Sequence, residues 1–129
     1  MLPFSFQPKG GLSIYQQVIY AVKKALMVGS LRPGDRFPSV RKLSQELKIN
    51  PNTAHKVVAA LVDEGLLEVR PGIGTIVLEP PSDRLQERSQ LLGDALERIA
   101  VEAHQLQIEL PELLEALTRH WNRLEGKTS

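Results

Sequence analysis

Residues 49–65, INPNTAHKVVAALVDEG, decide how the rest of the chain is read. Asn50 is a favoured helix N-cap, and Pro51 at the first helical position gives up an amide that would have no partner there. The spacing predicts a helix from Pro51 to about Glu64, where Gly65 can take the left-handed conformation that ends helices. On a wheel of about 100° per residue, Ala54, Val57, Val58 and Leu61 fall on one side and Asn52, His55, Lys56, Ala59 and Asp63 on the other. One face is apolar and belongs in a core. The opposite face is polar, small and donor-rich at its N-terminal end.

Working outward toward the N-terminus, Ser39 caps a short helix with Val40, Leu43 and Leu47 as its apolar positions. "LRPGDRF", residues 31–37, reads as a turn set by Pro33 and Gly34. Before it, Ser13 and Gln16 form a capping-box pair, and Ile14, Val18, Val22, Ala25 and Leu26 recur at helical spacing until Gly29. Residues 1–11, rich in Pro, Gly and Gln, read as a flexible arm. Toward the C-terminus, Leu66–Arg70 and Thr75–Leu78 are β-rich and flank Pro71-Gly72, which reads as a hairpin with glycine supplying a positive φ. The fold class is mainly α with a small β-hairpin: a helix-turn-helix followed by a β wing, spanning residues 12–79.

The prolines of "EPPSD", residues 79–83, mark a boundary, with Ser82 placed to cap the next helix. In residues 82–129, Leu85, Leu92, Leu96, Ile99, Ala103 and Leu106 recur at helical intervals. After Pro111, Leu114, Leu117, Trp121 and Leu124 do the same, which predicts a two-helix tail with one apolar stripe per helix. Two such helices cannot enclose a drug-sized cavity unaided. Their stripes are best covered by a second copy of the chain, so the tail reads as a homodimerisation element through Leu85, Leu92, Leu96, Ile99, Leu106, Leu114, Leu117 and Trp121. A small-molecule effector at that seam stays open.

Composition separates the same two parts. Residues 1–81 hold ten Lys/Arg against six Asp/Glu, a balance of +4; residues 82–129 hold six against nine, a balance of −3; together they give the net +1 of the 129-residue chain. A polyanion partner therefore belongs to the front of the chain. Absence of cysteine excludes a disulfide framework and thiolate chemistry. No apolar run is long enough to span a membrane, and the N-terminus has no export-signal pattern, so the chain reads as cytoplasmic.

An enzyme is the first rival class. His55, His104 and His120 lie in different elements without metalloprotease or zinc-ligand spacing, and no Ser/His/Asp arrangement stands out. "PGIGT", residues 71–75, joins two strands and so is no phosphate-binding loop before a helix. No catalytic residue, cofactor or metal is expected. A recognition helix, by contrast, needs the polar face described: its first turns enter the major groove, where Asn pairs with adenine edges and small residues allow close approach. The amides of Asn52 and Thr53, at the positive end of the helix dipole, can receive a phosphate.

Residues 31–77 resemble the DNA-binding domain of GntR-family bacterial transcription regulators. The family pattern appears here as Gly34, Asp35, Pro38, Ser39, Arg41 and Leu43, then Leu61, Gly65 and Leu66, then Arg70, Gly72, Gly74, Thr75 and Val77. Phe37, Ser44 and Ile76 replace the usual leucine, alanine and phenylalanine. The resemblance covers roughly residues 12–79, and "NPNT" with the short tail is similar to the YtrA-like branch. It implies a homodimeric repressor on a palindromic double-stranded DNA operator, with Arg41, Asn52, Thr53, His55 and Gly72 at the DNA. Ser39 and Asn50, at the two helix starts, go with them. Lys56 reads as a phosphate or rim contact. Arg70 pairs either with Glu68 or with a phosphate, and Ile73 lies at the wing tip. The alternative is a winged helix that docks protein and would not retard duplex DNA at moderate salt.

Overall fold

A computed structural model describes residues 2–4, 6–80 and 84–126. The chain separates into two compact units, Met1–Pro81 and Ser82–Ser129.

In the first unit, α1 (Ile14–Val28) starts at Ser13, whose side chain accepts from the Gln16 amide while Gln16 reaches back to the Ser13 amide. It ends at Gly29 with φ 87°, as predicted. α2 (Val40–Leu47) is capped by Ser39, and α3 (Pro51–Asp63) by Asn50. Gly65, at φ 77°, closes α3 with two hydrogen bonds that satisfy terminal carbonyls: its own amide to Val62 and that of Leu66 to Leu61, both 3.0 Å. The turn between α2 and α3 is made differently. Lys48 takes the left-handed conformation at φ 57°, and the Ile49 amide reaches back to Ser44 at 3.1 Å.

The expected hairpin is present as β2 (Leu67–Arg70), which starts one residue later than the sequence reading and ends with it, and β3 (Gly74–Val77), displaced by one residue toward the N-terminus. A third strand joins them. β1 (Arg36–Phe37) pairs antiparallel with β3, so the sheet has three strands in the order β1-β3-β2. "LRPGDRF" is therefore a turn plus a strand. Gly34, at φ 93°, follows Pro33 in a turn closed by Asp35 N to Arg32 O at 3.0 Å. The Gly34 amide then donates to Val77 O at 2.8 Å, and Val77 N to Asp35 O at 2.9 Å. These bonds fasten the start of β1 to the end of β3 and fix where the wing springs from the domain.

α3 packs on both α1 and α2. Its side chains Ala54, Val57 and Leu61 are fully buried, together with Val18, Val22, Leu43 and the strand residues Phe37, Leu67 and Val77. Burying a Val or Leu contributes about 1.5–3 kcal/mol. Truncating Leu61 to Ala would cost about 2–5 kcal/mol, because rigid helices on two sides cannot collapse into the void. The segment expected as a flexible arm is instead in contact with this core. Leu2, Phe4 and Phe6 are partly buried against it, and Phe4 stacks on Phe37 with ring centroids 6.2 Å apart. Gln17 also holds the segment, exchanging bonds of 2.7 and 2.6 Å with the Lys9 backbone. Aromatic residues too scattered to show a period still had a half-open core edge to cover.

In the second unit, α4 (Leu85–Gln90), a π-helical turn (Leu91–Ala95) and α5 (Leu96–Gln105) follow without a break, and α6 (Leu110–Leu124) comes after a short corner. The proposed cap Ser82 lies outside the described residues; the helix begins after Arg84, with no side-chain cap. The π turn departs from the regular helix that the spacing predicts. Its wider hydrogen-bond step rotates the preceding turns by about a quarter turn relative to an unbroken α-helix. The single stripe read from Leu85 to Leu106 is therefore offset across the π turn, the part before Leu91 being rotated relative to the part after Ala95. Gln107, at φ 58°, turns the chain toward α6, with Ile108 N donating to Ala103 O at 2.9 Å. Among the described residues, no helix is long and apolar enough to cross a membrane.

Candidate nucleic-acid interface

The candidate surface is assembled from the exposed ends and faces of the first unit. On α3, Ala54, Val57, Val58 and Leu61 are buried, whereas Asn52, His55, Lys56, Ala59 and Asp63 are exposed and Thr53 is half-buried. The amphipathic division read from the sequence is thus the division seen. At the helix start, Asn50 Oδ1 accepts from the Asn52 amide at 2.7 Å. That bond corrects one expectation. Of the two amides expected as phosphate donors, the Asn52 amide is already engaged by the cap, which leaves that of Thr53. The side-chain oxygen of Asn50 is engaged in the same bond, so only its amide nitrogen could face a ligand.

On α2, Ser39 Oγ accepts from the Lys42 amide at 3.1 Å, so this serine is a cap, with its hydroxyl proton left to donate. Arg41 is exposed in the first turn. Beneath it, Ser44 is buried and its hydroxyl donates to the Arg41 carbonyl at 3.0 Å. The hydroxyl at a position where alanine would do is satisfied locally, so it imposes no unpaired group on the core. Lys42 lies 3.9 Å from Glu46 one turn on, an exposed pair of small energetic weight.

The wing supplies the third component. Arg70 O accepts from Ile73 N at 3.0 Å across Pro71-Gly72, and Gly72 has φ 77°, the geometry of a type II turn. Ile73 is exposed at the tip. Of the two partners read for Arg70, Glu68 is at hand: Arg70 Nε donates to Glu68 Oε1.

Two cations escaped the sequence reading. Lys48 is exposed in the α2–α3 turn, and Arg36 is exposed on β1. Neither carried a signal, because the first sits at a non-glycine left-handed position and the second on a two-residue strand. The histidines are dispersed as expected: His55 is on α3, while His104 and His120 are on α5 and α6, with His120 Nδ1 2.7 Å from Arg123 Nη2. Among the described residues, no three His, Cys, Asp or Glu side chains come together.

In the second unit, Leu85, Leu92, Leu96, Ile99, Leu106, Leu114, Leu117 and Trp121 are all exposed in the single chain, from 40% at Leu96 to 72% at Leu106. Ala103 is the one residue of the stripe that is buried. The α5–α6 corner leaves an open groove of about 660 Å³ lined by Ala103, His104, Gln107, Ile108 and Leu113 among others.

Comparison with known proteins gives three kinds of match. The family described as "Bacterial regulatory proteins, gntR family" matches residues 14–77. The transcriptional repressor YtrA of Bacillus subtilis (strain 168) is 34% identical over 109 residues, covering 84% of each chain. An uncharacterised helix-turn-helix transcriptional regulator of the same organism, YhcF, is 30% identical over 81% of this chain and 86% of its own. Among solved structures, a protein of Listeria monocytogenes EGD-e described as a transcriptional antiterminator superposes with a TM-score of 0.85 at 20% identity, over 98% of this chain and 95% of the other. YtrA from Sulfolobus acidocaldarius superposes with a TM-score of 0.54 at 24% identity, over 92% and 97%. At those identities the structural likeness is one of fold.

Proposed function

Starting from the fact that this chain belongs to the gntR family of bacterial regulatory proteins, and so is a DNA-binding transcription regulator, we propose that it is a repressor that binds a palindromic operator as a homodimer. The observation that carries the reading is α3 itself. Its buried side locks it against α1 and α2, and its exposed side offers Asn52, His55 and Lys56 from a capped, rigid N-terminus. A helix held in that way enters the major groove as one body, and what it meets there is decided by its first two turns.

In this reading residues 12–79 are the DNA-binding domain. Arg41, Asn52, Thr53 and His55 face base edges and nearby phosphates, Lys56 and Arg70 face phosphates, and Gly72 brings the wing backbone close to the duplex. Ser39 and Asn50 act mainly by fixing the helix ends that carry those groups. Residues 82–129 are the dimerisation tail. The exposed leucines of α4 to α6 and Trp121 form an apolar surface too large for a monomer to leave in water, and a second copy supplies the same surface in return. A small-molecule effector at the seam would find a groove of suitable size at the α5–α6 corner.

The test is selection of bound sequences from a random DNA pool with the full chain. The reading expects an inverted repeat whose half-sites lie about one helical turn apart, or a multiple of it, on one face of the duplex. Failure to enrich any sequence, together with no retardation of duplex DNA at moderate salt, would favour the protein-docking winged helix instead.

A further inference from the structure

β2 and β3 carry the core face of the sheet past the end of the core. Leu67 and Val77 stand opposite each other and are each 1% exposed, and Phe37 on β1, opposite Thr75, is buried with them. The pleat returns the next side chains of that face two residues on. They are Val69 and its partner Thr75, one step nearer the wing tip. There the cover ends: Val69 is 59% exposed and Thr75 is half-buried. Ile73, at the tip, is 51% exposed, and Pro71 and Gly72 before it are exposed as well.

A lone exposed valine would mean little. Here two branched side chains stand at one end of one hairpin, on a ledge continuous with the core face. β2 is also an edge strand of the sheet, where an exposed apolar residue is a liability unless something covers it. A protein partner would need far more surface, about 20–30 residues a side. The charge pattern points elsewhere. Residues 71–78 contain no charged residue, and Arg70, one step out of phase with Val69, is paired with Glu68 on the opposite face. Phosphates are thus left to Arg70, while the ledge offers methyl groups and backbone. On a duplex the matching surface is the C–H edge of the deoxyribose rings that wall the minor groove, where proteins commonly set apolar side chains such as isoleucine. At Gly72 and Gly74 nothing lies within 4 Å of where a Cβ would stand, so no side chain of the tip blocks a close approach.

We propose that Val69 and Ile73 form an apolar contact surface for the deoxyribose edge of the operator, through which the wing contributes affinity that does not depend on salt. The inference rests on the reading that the wing meets DNA; what it adds is the chemistry of the contact. An apolar contact releases no counterion and leaves the salt slope alone, whereas each phosphate contact steepens it by about 0.9.

The experiment titrates the full chain, Val69→Ala, Ile73→Ala and the double variant against the selected operator over a salt series. Arg70→Ala runs alongside as a marker of the wing, with thermal unfolding as a control of fold and sedimentation as a control of assembly. Neither Val69→Ala nor Ile73→Ala alters charge. Each should weaken binding about 4- to 15-fold, what one or two methyl groups taken out of water are worth. The line of log affinity against log salt should drop in parallel for both, while Arg70→Ala should flatten it by about 0.9. If the double variant binds like the wild type while Arg70→Ala weakens binding, this inference fails and the wing reading stands. If Arg70→Ala is silent as well, at every salt concentration, both fail. A loss that comes with a flatter slope would mean that the alanines displace Arg70 from its phosphate, which overturns the apolar contact. A change in sedimentation at unchanged operator affinity would overturn it too and give the ledge to a second copy of the chain.

Discussion

The side-chain oxygen of Asn50 lies 2.7 Å from the amide of Asn52 and closes the first turn of α3 over Pro51. This cap separates two jobs that one residue could be thought to share. Asn50→Ala removes the acceptor and should lower stability by about 1 kcal/mol, with the range for such caps running from about 0.5 to 2. For a domain of this size that is a fall of about 4–8 °C in melting temperature. Asn50→Asp keeps an acceptor at the positive end of the helix and should melt like the wild type. It should still bind all DNA sequences more weakly, because it adds a negative charge facing phosphates. If the aspartate variant loses discrimination between operator and scrambled DNA instead of uniform affinity, Asn50 reads a base through its amide nitrogen.

Arg41 and Lys56 are expected to differ in kind. Lys56→Ala should weaken binding to all duplexes alike and flatten the salt slope by about 1, the signature of one lost phosphate contact. Arg41→Ala should cost about 1–3 kcal/mol on the operator and relax the preference at one base position. Repeating the random-pool selection with each variant checks both, and an Arg41→Ala protein that binds the selected operator as tightly as the wild type removes Arg41 from the interface.

At the wing, Gly72 has φ 77° and open space where a Cβ would stand. A substitution there is strained by the backbone alone, by about 1–2 kcal/mol for a non-glycine residue in the left-handed region. Gly72→Val should therefore leave the unit folded, with a modest drop in melting temperature, and weaken DNA binding by keeping the turn from close approach. A collapse of thermal stability would make the turn structural first.

Lys48 carries the same strain without the glycine. Lys48→Gly relieves about 1–2 kcal/mol of left-handed strain and costs about 0.5–1 in chain entropy, for a net gain of about 0.5–1. Urea unfolding should show a higher midpoint with an unchanged slope. A lower midpoint would mean that the lysine side chain holds the α2–α3 turn by contacts beyond its backbone.

For the second unit, Leu96→Glu places a charge in the proposed seam at a residue that is exposed in the single chain, so the helix should form while the pair does not. Sedimentation should show a monomer, and affinity for the two-half-site operator should fall by about 10²–10⁴, the usual gain from making the second contact intramolecular. A chain cut after Pro81 should behave alike. If either protein still sediments as a dimer and prefers an inverted repeat, dimerisation lies in the first unit.

What the sequence made legible was local. Caps at Ser13, Ser39 and Asn50, stops at Gly29 and Gly65, and the two faces of α3 all rest on a few adjacent residues, and all are found where the sequence predicts them. What it hid depends on partners distant in the chain or on rare geometry. β1 is two residues long, too short to show alternation, and it exists only because β3, some forty residues on, accepts it. Phe4 reads as part of a flexible arm until Phe37 is beside it. The pairing of Arg70 with Glu68 depends on how β2 sets the two side chains, which the sequence alone leaves open. In the tail the helical period is legible, but a period cannot announce that one turn holds an extra residue.

That extra residue has a consequence for how the chain tolerates change in length. An α-helix that gains or loses one residue turns everything beyond the change by about 100°. The Leu91–Ala95 turn has already absorbed one such step. Removing Gly93 should let the segment relax into ordinary α-helix while α4 and α5 keep the same faces in line. The same deletion placed inside α5, at Ala100 for instance, has no wider turn to draw on and should swing Ala103 and Leu106 away from Leu92 and Leu96. The π turn is thus a spare link in the rod, a place where the tail can be let out or taken in by a residue without being twisted.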